Sequence, residues 1–253
     1  MGVLPPRSLR HRHHRRSSDA AAQARDQEGA SLAVSGGAPG HYLTGDLRDQ
    51  LVHAGRAVVR AGLVVGSGGN FSARAPGADE CWVTAAGTWL DRLDRGSFVR
   101  VRISDGATLD NSVGVAPSSE LGLHLALYRA RPDAGAVMHL HPQSVLLLDA
   151  LAEPIRLATT DHAFYVREVA TTPFVPPGRP EVGELAASAC ADGVNCVVLA
   201  RHGCAVIADS VELAHKRAVN LEEAARLTYS ALALGRPLPA LPTDWLQGPG
   251  ATA

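Results

Sequence analysis

The 253-residue sequence has almost no net charge and no long apolar run. Its 24 lysines and arginines balance 25 aspartates and glutamates, which gives a formal net charge of -1. Binding to nucleic acids or to membrane surfaces usually needs concentrated positive charge, so this balance gives no reason to expect either partner. The longest apolar runs, such as residues 145–148, are far too short for a bilayer, which takes about 20 residues. We therefore expect a globular protein without a transmembrane helix.

Cysteine is also scarce. The four cysteines, Cys81, Cys190, Cys196 and Cys204, contain no Cys-x-x-Cys pair. They therefore predict neither a secreted disulfide framework nor a thiolate metal site. Cys196 and Cys204 lie in apolar strand-like runs, so we interpret them as buried structural thiols, which suits a reducing cytoplasm.

The two ends of the chain lack a periodic apolar pattern. The first residues are basic, with arginines around three histidines, and alanine, glutamine and glycine follow. Because such a composition cannot offset the entropy cost of ordering, we predict a disordered tail over residues 1–42. A metal tract or a nucleic-acid arm is the alternative for the His-Arg run, and no apolar segment of a signal peptide follows it. We place one catalytic domain at 43–238 and a loose tail at 239–253.

Helical and strand-like patterns alternate through residues 43–238. Helical spacing of apolar residues, with capping and stop signals, predicts helices over 44–61, 118–130, 142–151, 181–191 and 211–234. Short apolar runs bounded by turns predict strands over 71–74, 81–84, 98–103, 107–109, 134–137, 155–158, 196–200 and 204–207. This interleaving predicts an α/β protein with a sheet covered by helices.

A His-x-His pair ends the strand-like run over residues 134–137. Side chains alternate along an extended chain, so His139 and His141 should point to the same side. Two neighbouring imidazoles pack poorly in a core but provide half of a zinc site, although two ordinary histidines at a strand end would look the same. A carboxylate, Glu120, follows a Pro-Ser-Ser segment, and a third histidine, His202, follows a later apolar run. We interpret this set as a metal site with a general base.

Two further segments have the donors of an anion site. A glycine-rich loop at residues 66–70 contains Ser67 and Asn70, and such loops bring backbone N–H groups close to anions. Ser118 and Ser119 precede a predicted helix, whose free N–H groups also attract anions. Each segment by itself is equally well explained as an ordinary turn or helix cap. Glu120 has an ordinary explanation too, since a carboxylate in a first helical turn compensates the helix dipole.

Four segments in this order, residues 67–74, 117–120, 139–141 and 202–203, resemble the class II aldolase/adducin family. Its best-known enzymes are L-fuculose-phosphate aldolase, rhamnulose-phosphate aldolase and L-ribulose-phosphate 4-epimerase. The resemblance covers roughly residues 44 to 238. It implies a single-domain, three-layer α/β/α fold with a central, mostly antiparallel β-sheet.

The resemblance also implies roles for the metal-site residues. His139, His141 and His202 would hold Zn²⁺, with Mn²⁺ or Co²⁺ as alternatives, and Glu120 would carry the proton at the enediolate carbon. Retention of all four residues argues against a non-catalytic, adducin-like binding module.

For the substrate phosphate, the resemblance implies Ser67, Asn70, Ser118, Ser119 and the N–H group of Gly87. The family usually has a hydroxyl residue just before that glycine, whereas this chain has an alanine there. One phosphate donor is therefore missing, which puts the phosphorylation of the substrate in question.

A second acid/base group is needed at the aldehyde oxygen, and residues 159–165 supply the candidates. Asp161, His162 and Tyr165 lie in this polar and aromatic stretch, and none of them is ahead of the others. His162 is also a candidate for an additional metal ligand. The tyrosine of the fuculose-phosphate aldolases near this position acts across a subunit boundary, so the resemblance implies a homotetramer with active sites at subunit interfaces.

The resemblance thus favours a cytoplasmic, zinc-dependent aldolase acting on a sugar phosphate. It would split a ketose 1-phosphate into dihydroxyacetone phosphate and an aldehyde. The 4-epimerases usually carry aspartate where this chain has Glu120, which favours the aldolase. A sugar-acid phosphate decarboxylase of the same family is a further alternative.

Overall fold

The computed structural model describes residues 42–110, 114–242 and Leu246, and in these residues one eight-stranded sheet lies between two layers of helices. The predicted N-terminal tail therefore lies outside the described residues except for Tyr42, as does most of the predicted C-terminal tail. The helices are α1 Leu47–Arg60, α2 Leu121–Ala130, α3 Gln143–Leu151, α4 Pro180–Cys190 and α5 Val211–Ala233. The strands are β1 Asn70–Ala73, β2 Glu80–Thr84, β3 Phe98–Arg102, β4 Thr108–Asp110, β5 Ala136–Leu140, β6 Val169–Thr172, β7 Cys196–Leu199 and β8 Gly203–Ala208.

The sheet has the strand order β4-β3-β2-β1-β5-β8-β7-β6. All neighbouring strands are antiparallel except β6 and β7, which are parallel. The prediction of a three-layer α/β/α fold with a mostly antiparallel sheet is therefore confirmed. Strand β5 lies in the middle of this order, between β1 and β8, so the residues at its end are surrounded by structure on both sides.

The two faces of the sheet bury separate apolar clusters, as the alternation of side chains in a strand requires. Met138 and Leu140 of β5 join the cluster that also holds apolar residues of α1, α3 and α5. Val137 joins the cluster of α2 and α4 on the other face. Since these side chains are fully buried, truncating Leu140 to alanine would cost about 2–5 kcal/mol. Such a core holds the end of β5 rigidly.

The prediction of a strand over residues 155–158 is wrong. The parallel partner of β7 is instead Val169–Thr172, which the sequence analysis did not identify. Ile155 and Leu157 pack against the core without joining the sheet, and the Leu157 carbonyl accepts a hydrogen bond from the backbone N–H of Leu241. Their apolar character therefore reflects packing rather than strand pairing. Helix α1 also begins later than predicted, with Asp46 as its N-cap.

The prediction that Cys196 and Cys204 are buried thiols is confirmed. All four cysteines are free and buried, and burial raises the pKa of the Cys196 thiol to about 12. In the part of the chain that the structure describes, no helix is long and apolar enough to cross a membrane.

Candidate metal centre

The structure brings the three predicted histidines together at the end of β5. His139 is in the strand, His141 follows its last residue, and His202 lies in the turn between β7 and β8. One ring nitrogen from each lies within 4.8 Å of the others. The Nε2 atoms of His139 and His141 are 2.9 Å apart. Two ring nitrogens at this distance repel each other unless a proton or a cation lies between their lone pairs.

The backbone around the turn fixes the third histidine. Leu199 pairs with Gly203 across the β7–β8 hairpin, so the turn contains three residues. Its central residue, Arg201, has a φ of 59°, and its N–H donates to Asp149 Oδ2 of α3 at 2.6 Å. This conformation is uncommon for a residue other than glycine, and the bond from α3 supports it. The turn thus presents His202 toward the end of β5.

Two glycines leave room for the histidine rings. A Cβ atom on Gly203 would collide with the carbonyl oxygen of Leu140 and approach Cδ2 of His141 to 2.6 Å. A Cβ atom on Gly68 would lie 2.8 Å from Nδ1 of His141. Glycine is therefore required at both positions for the histidines to keep this arrangement, and the loop that contains Ser67 lies directly against His141.

The histidines are in the right chemical state for a divalent metal. His139 Nδ1 donates to the carbonyl oxygen of Cys204 at 3.0 Å, which leaves the lone pair on Nε2, facing the other two rings. Burial and the neighbouring His139 and His202 lower the pKa of His141 to about 4, against the opposing effect of Glu120, so its ring is neutral near pH 7. Neutral imidazoles oriented by a backbone carbonyl are the usual ligands in such sites. The three residues fit a divalent metal ion with an open coordination position.

Glu120 lies beside these histidines, at the start of α2. Its Oε2 atom is 3.1 Å from His139 Nε2, and its Oε1 atom is 3.0 Å from His202 Nε2. The Nδ2 group of Asn70 donates to Oε2 at 2.8 Å. Burial raises the pKa of the Glu120 carboxyl, but the adjacent His139 and His202 rings and the hydrogen bond from Asn70 outweigh it and hold the pKa well below its ordinary value. The carboxylate is therefore ionised at neutral pH.

The two oxygens of Glu120 differ in their bonding. Oε2 accepts the bond from Asn70, whereas Oε1 is buried and has no hydrogen-bond partner among the described residues. The short distance from Oε1 to His202 Nε2 does not contradict this, because the ring N–H bond is not directed at the oxygen. The site thus contains one fixed and one free carboxylate oxygen.

The predicted anion-binding segments lie near this carboxylate. Ala85 pairs with Pro117, and the Ala86 N–H donates to the carbonyl of Ala116, so the turn containing Gly87 lies beside the segment that leads to Ser118. The Oγ atom of Ser118 accepts from the N–H of Glu120 at 3.2 Å. Ser118 therefore stabilises the turn that leads into α2, while its neighbour in this segment, Ser119, is exposed.

A cavity of about 160 Å³ is lined by Ser119 and Glu120 and, across from them, by Gly178, Arg179 and the first residue of α4, Pro180. The sequence analysis did not identify Arg179, because no motif marks this exposed arginine. It places a positive charge beside the cavity that Glu120 lines.

The three candidates for the second acid/base group lie elsewhere in the chain. His162 is fully buried in a π-helical turn, with its Nε2 3.6 Å from a glutamate of α5. The Tyr165 carbonyl accepts from Arg217, which also binds the carbonyl of Ile207, near the end of β8 away from His202. Asp161 is exposed. Within one chain, none of the three has a contact with Glu120 among the interactions of the described residues.

Known proteins are similar to this chain in sequence and in fold. A family model of the class II aldolase and adducin N-terminal domain matches residues 49–229. The L-fuculose phosphate aldolase of Methanococcus maripaludis is 28% identical over 166 residues, covering 66% of this chain and 87% of that protein. The 3-oxo-tetronate 4-phosphate decarboxylase of Cupriavidus necator is 33% identical over 187 residues, covering 72% of this chain and 82% of that protein. A solved L-fuculose 1-phosphate aldolase structure is similar with a TM-score of 0.72 and 25% identity, covering 82% of this chain and 96% of the other.

Proposed function

The chain belongs to the class II aldolase and adducin family, and we propose that it is a zinc-dependent aldolase acting on a ketose 1-phosphate. The observation that carries this proposal is the ionised carboxylate of Glu120, within 3.1 Å of the nitrogen atoms of two candidate metal ligands. A base in this position can reach a proton on a carbon that is held next to the metal.

The proposed chemistry uses the chain's own residues for proton transfer and positioning. Zinc held by His139, His141 and His202 would act as a Lewis acid that polarises the substrate carbonyl. When the C3–C4 bond breaks, the C4 hydroxyl gives its proton to the second acid/base group and the electron pair of the bond moves toward that carbonyl. Glu120, which has first taken up a proton, then delivers it to C3. In the synthetic direction, Glu120 removes the same proton from the hydroxymethyl group of dihydroxyacetone phosphate.

Donors from the three neighbouring loops would hold the phosphate. These are the hydroxyls of Ser67 and Ser119 and the N–H of Gly87, together with the free N–H groups at the start of α2. The Ser118 hydroxyl already accepts from the N–H of Glu120, and the Asn70 amide binds the Glu120 carboxylate, which leaves Asn70 one N–H for a substrate.

A decarboxylase is the second candidate, and the similarity to the decarboxylase from Cupriavidus necator favours it. Loss of CO₂ from a 3-oxo-tetronate 4-phosphate leaves the carbon skeleton of dihydroxyacetone phosphate. The electron pair of the broken bond moves toward the C3 carbonyl, and Glu120 would protonate C2, so both reactions share one proton-transfer step. Arg179, beside the cavity that Glu120 lines, gives a cation for the substrate carboxylate.

Incubation of the zinc-loaded protein with dihydroxyacetone phosphate in D₂O tests the shared step. We expect stereospecific exchange of one hydroxymethyl proton, and its absence would contradict both candidates. A panel of aldehydes with dihydroxyacetone phosphate, and release of CO₂ from a 3-oxo-tetronate 4-phosphate, then separate the two. New ketose 1-phosphates support the aldolase, and CO₂ release indicates the decarboxylase. Epimerisation of an added ketose phosphate at C4 would indicate a 4-epimerase.

We also propose a cytoplasmic homotetramer with its active sites at subunit interfaces. Asp161, His162 and Tyr165 do not contact Glu120 within one chain, so one of them would act from a neighbouring subunit. Sedimentation measures the oligomeric state, and a strictly monomeric protein with full activity would contradict this proposal.

A further inference from the structure

A buried chain of hydrogen bonds leads from Glu120 into the protein. The Asn70 amide donates from Nδ2 to Glu120 Oε2 at 2.8 Å, and its Oδ1 lies 2.6 Å from His124 Nε2. The other nitrogen of His124, Nδ1, is 2.7 Å from the Ser72 hydroxyl, which is 2.9 Å from the Tyr128 hydroxyl. His124 is fully buried and links these hydrogen bonds.

The residues of this hydrogen-bond chain come from one strand and one helix, at the spacing that puts side chains on one face of each. Asn70 and Ser72 are two residues apart in β1, so they face the same side of the sheet. Glu120, His124 and Tyr128 are spaced by four residues at the start of and along α2, which puts them on one side of the helix. Where α2 packs on this face of the sheet, the two rows meet.

The hydrogen bonds can run in only one direction. An ionised carboxylate only accepts, so Asn70 must turn its NH₂ group toward Glu120 and its oxygen toward His124. His124 must then carry its proton on Nε2, and Nδ1 must accept from Ser72. A flipped amide would place its oxygen against Oε2 of the carboxylate, and the hydrogen bond to Glu120 would be lost. Burial also lowers the pKa of His124 to about 3, with a contribution from His139 that Glu120 partly offsets, so the ring is neutral.

We infer that His124 is a positioning residue for the proton transfer: through the Asn70 amide it holds Glu120 Oε2 as a hydrogen-bond acceptor and leaves Oε1 to exchange the proton. This inference rests on the proposed role of Glu120. It assigns His124 no contact with substrate or metal. Both carboxylate oxygens lie beside a candidate metal ligand, Oε2 at His139 and Oε1 at His202, and only Oε1 is without a hydrogen bond among the described residues.

Two substitutions of the same residue give a matched test. In His124→Gln, the side-chain amide reaches about as far as Nε2 and still donates to Asn70. In His124→Asn, the amide is one methylene shorter, reaches about as far as Nδ1, and keeps only the Ser72 contact. Both variants remove a buried ring and leave the three zinc ligands unchanged, so their melting temperatures and zinc contents control for a general loss of structure.

The measured quantity is the exchange of the hydroxymethyl proton of dihydroxyacetone phosphate, as a function of its concentration. We expect the exchange rate at saturation to fall about 10- to 100-fold in His124→Asn, with KM little changed and zinc retained. His124→Gln should recover most of that loss. Equal losses that follow the melting temperatures of the two variants, or normal rates in both, would overturn the inference.

The tautomer of His124 gives a measurement that does not depend on activity. In the unmodified protein with ¹⁵N-labelled histidine, NMR should show a neutral His124 with its proton on Nε2. A proton on Nδ1 would overturn the inference even if both variants failed to fold. If the unmodified protein exchanges no proton of dihydroxyacetone phosphate, the proposed function fails, and the positioning role fails with it. The Nε2–H tautomer would then establish only the hydrogen-bond chain.

Discussion

Replacing Glu120 by glutamine separates a catalytic role from a structural one. The amide keeps the size and shape of the carboxyl group, and its oxygen still accepts the hydrogen bond from Asn70. It cannot accept a proton at neutral pH, so a positioned general base is lost. Such a loss typically lowers the rate about 10²- to 10⁴-fold, which corresponds to roughly 2.7–5.4 kcal/mol in the activation free energy.

The expected effect on stability is smaller. A carboxylate that only compensated the dipole of α2 would contribute up to about 1 kcal/mol. Glu120 also accepts a charge-assisted bond in a largely buried position, with 12% of its side chain exposed. Because glutamine keeps that bond as a neutral one, the further loss is about 1 kcal/mol. The activation free energy should therefore change by more than the free energy of unfolding.

The assay follows deuterium incorporation into dihydroxyacetone phosphate by NMR, with zinc content measured on the same samples. We expect Glu120→Gln to fold, retain zinc and exchange the hydroxymethyl proton barely above background. Glu184→Gln removes an exposed carboxylate from α4 and should exchange at the normal rate. Near-normal exchange in zinc-loaded Glu120→Gln would refute the reasoning and place the base elsewhere, with Asp161 or His162 as the next candidates.

Three further outcomes test the site. His202→Ala should lose most bound zinc by elemental analysis and retain only background activity, and full zinc occupancy would remove His202 from the ligand set. Gly203→Ala should lower both zinc affinity and melting temperature, since its methyl group would collide with the Leu140 carbonyl, whereas Gly96→Ala, with no atom closer than 3.4 Å to the new Cβ, should change neither. Because His124 has a pKa of about 3 when folded and an ordinary value of 6.5, the unfolded chain binds more protons between these pH values, and stability falls with falling pH. Urea unfolding of the zinc-free protein measures the free energy of unfolding at each pH in this range. Its dependence on pH should be shallower in His124→Gln than in the unmodified protein, by up to about 1.4 kcal/mol per pH unit. An unchanged dependence would contradict the buried neutral ring.

The sequence predicted the elements and residues whose evidence is local. The His-x-His spacing led to His139 and His141 because the period of a strand alone puts both rings on one side. Residues 155–158 misled the prediction because apolar β-formers also occur in segments that pack without pairing. A strand needs a partner, and the choice of β6 as the partner of β7 depends on the whole sheet.

The hydrogen-bond chain through His124 also depends on packing that local sequence patterns do not predict. Both of its periods are visible in the sequence, two residues between Asn70 and Ser72 and four between Glu120, His124 and Tyr128. What the sequence does not contain is the packing of α2 on β1, which brings together residues about 50 positions apart. The sequence therefore predicted only a phosphate contact for the amide of Asn70 and gave no indication of its hydrogen bonds with Glu120 and His124.

The two candidate reactions make different demands on the neighbouring subunit. An aldol cleavage converts a hydroxyl into an aldehyde, so a second acid/base group must exchange a proton with that oxygen. Decarboxylation releases CO₂, which needs no such group, and Glu120 can complete the proton transfer once it has taken up a proton from water. Since Asp161, His162 and Tyr165 have no contact with Glu120 within one chain, the single chain already contains the proton-transfer group that the decarboxylase needs, while the aldolase needs a residue from a partner. Alanine at the one of these three positions that supplies the acid/base group should therefore abolish aldol cleavage. The same substitution should leave both CO₂ release and the exchange of dihydroxyacetone phosphate protons intact.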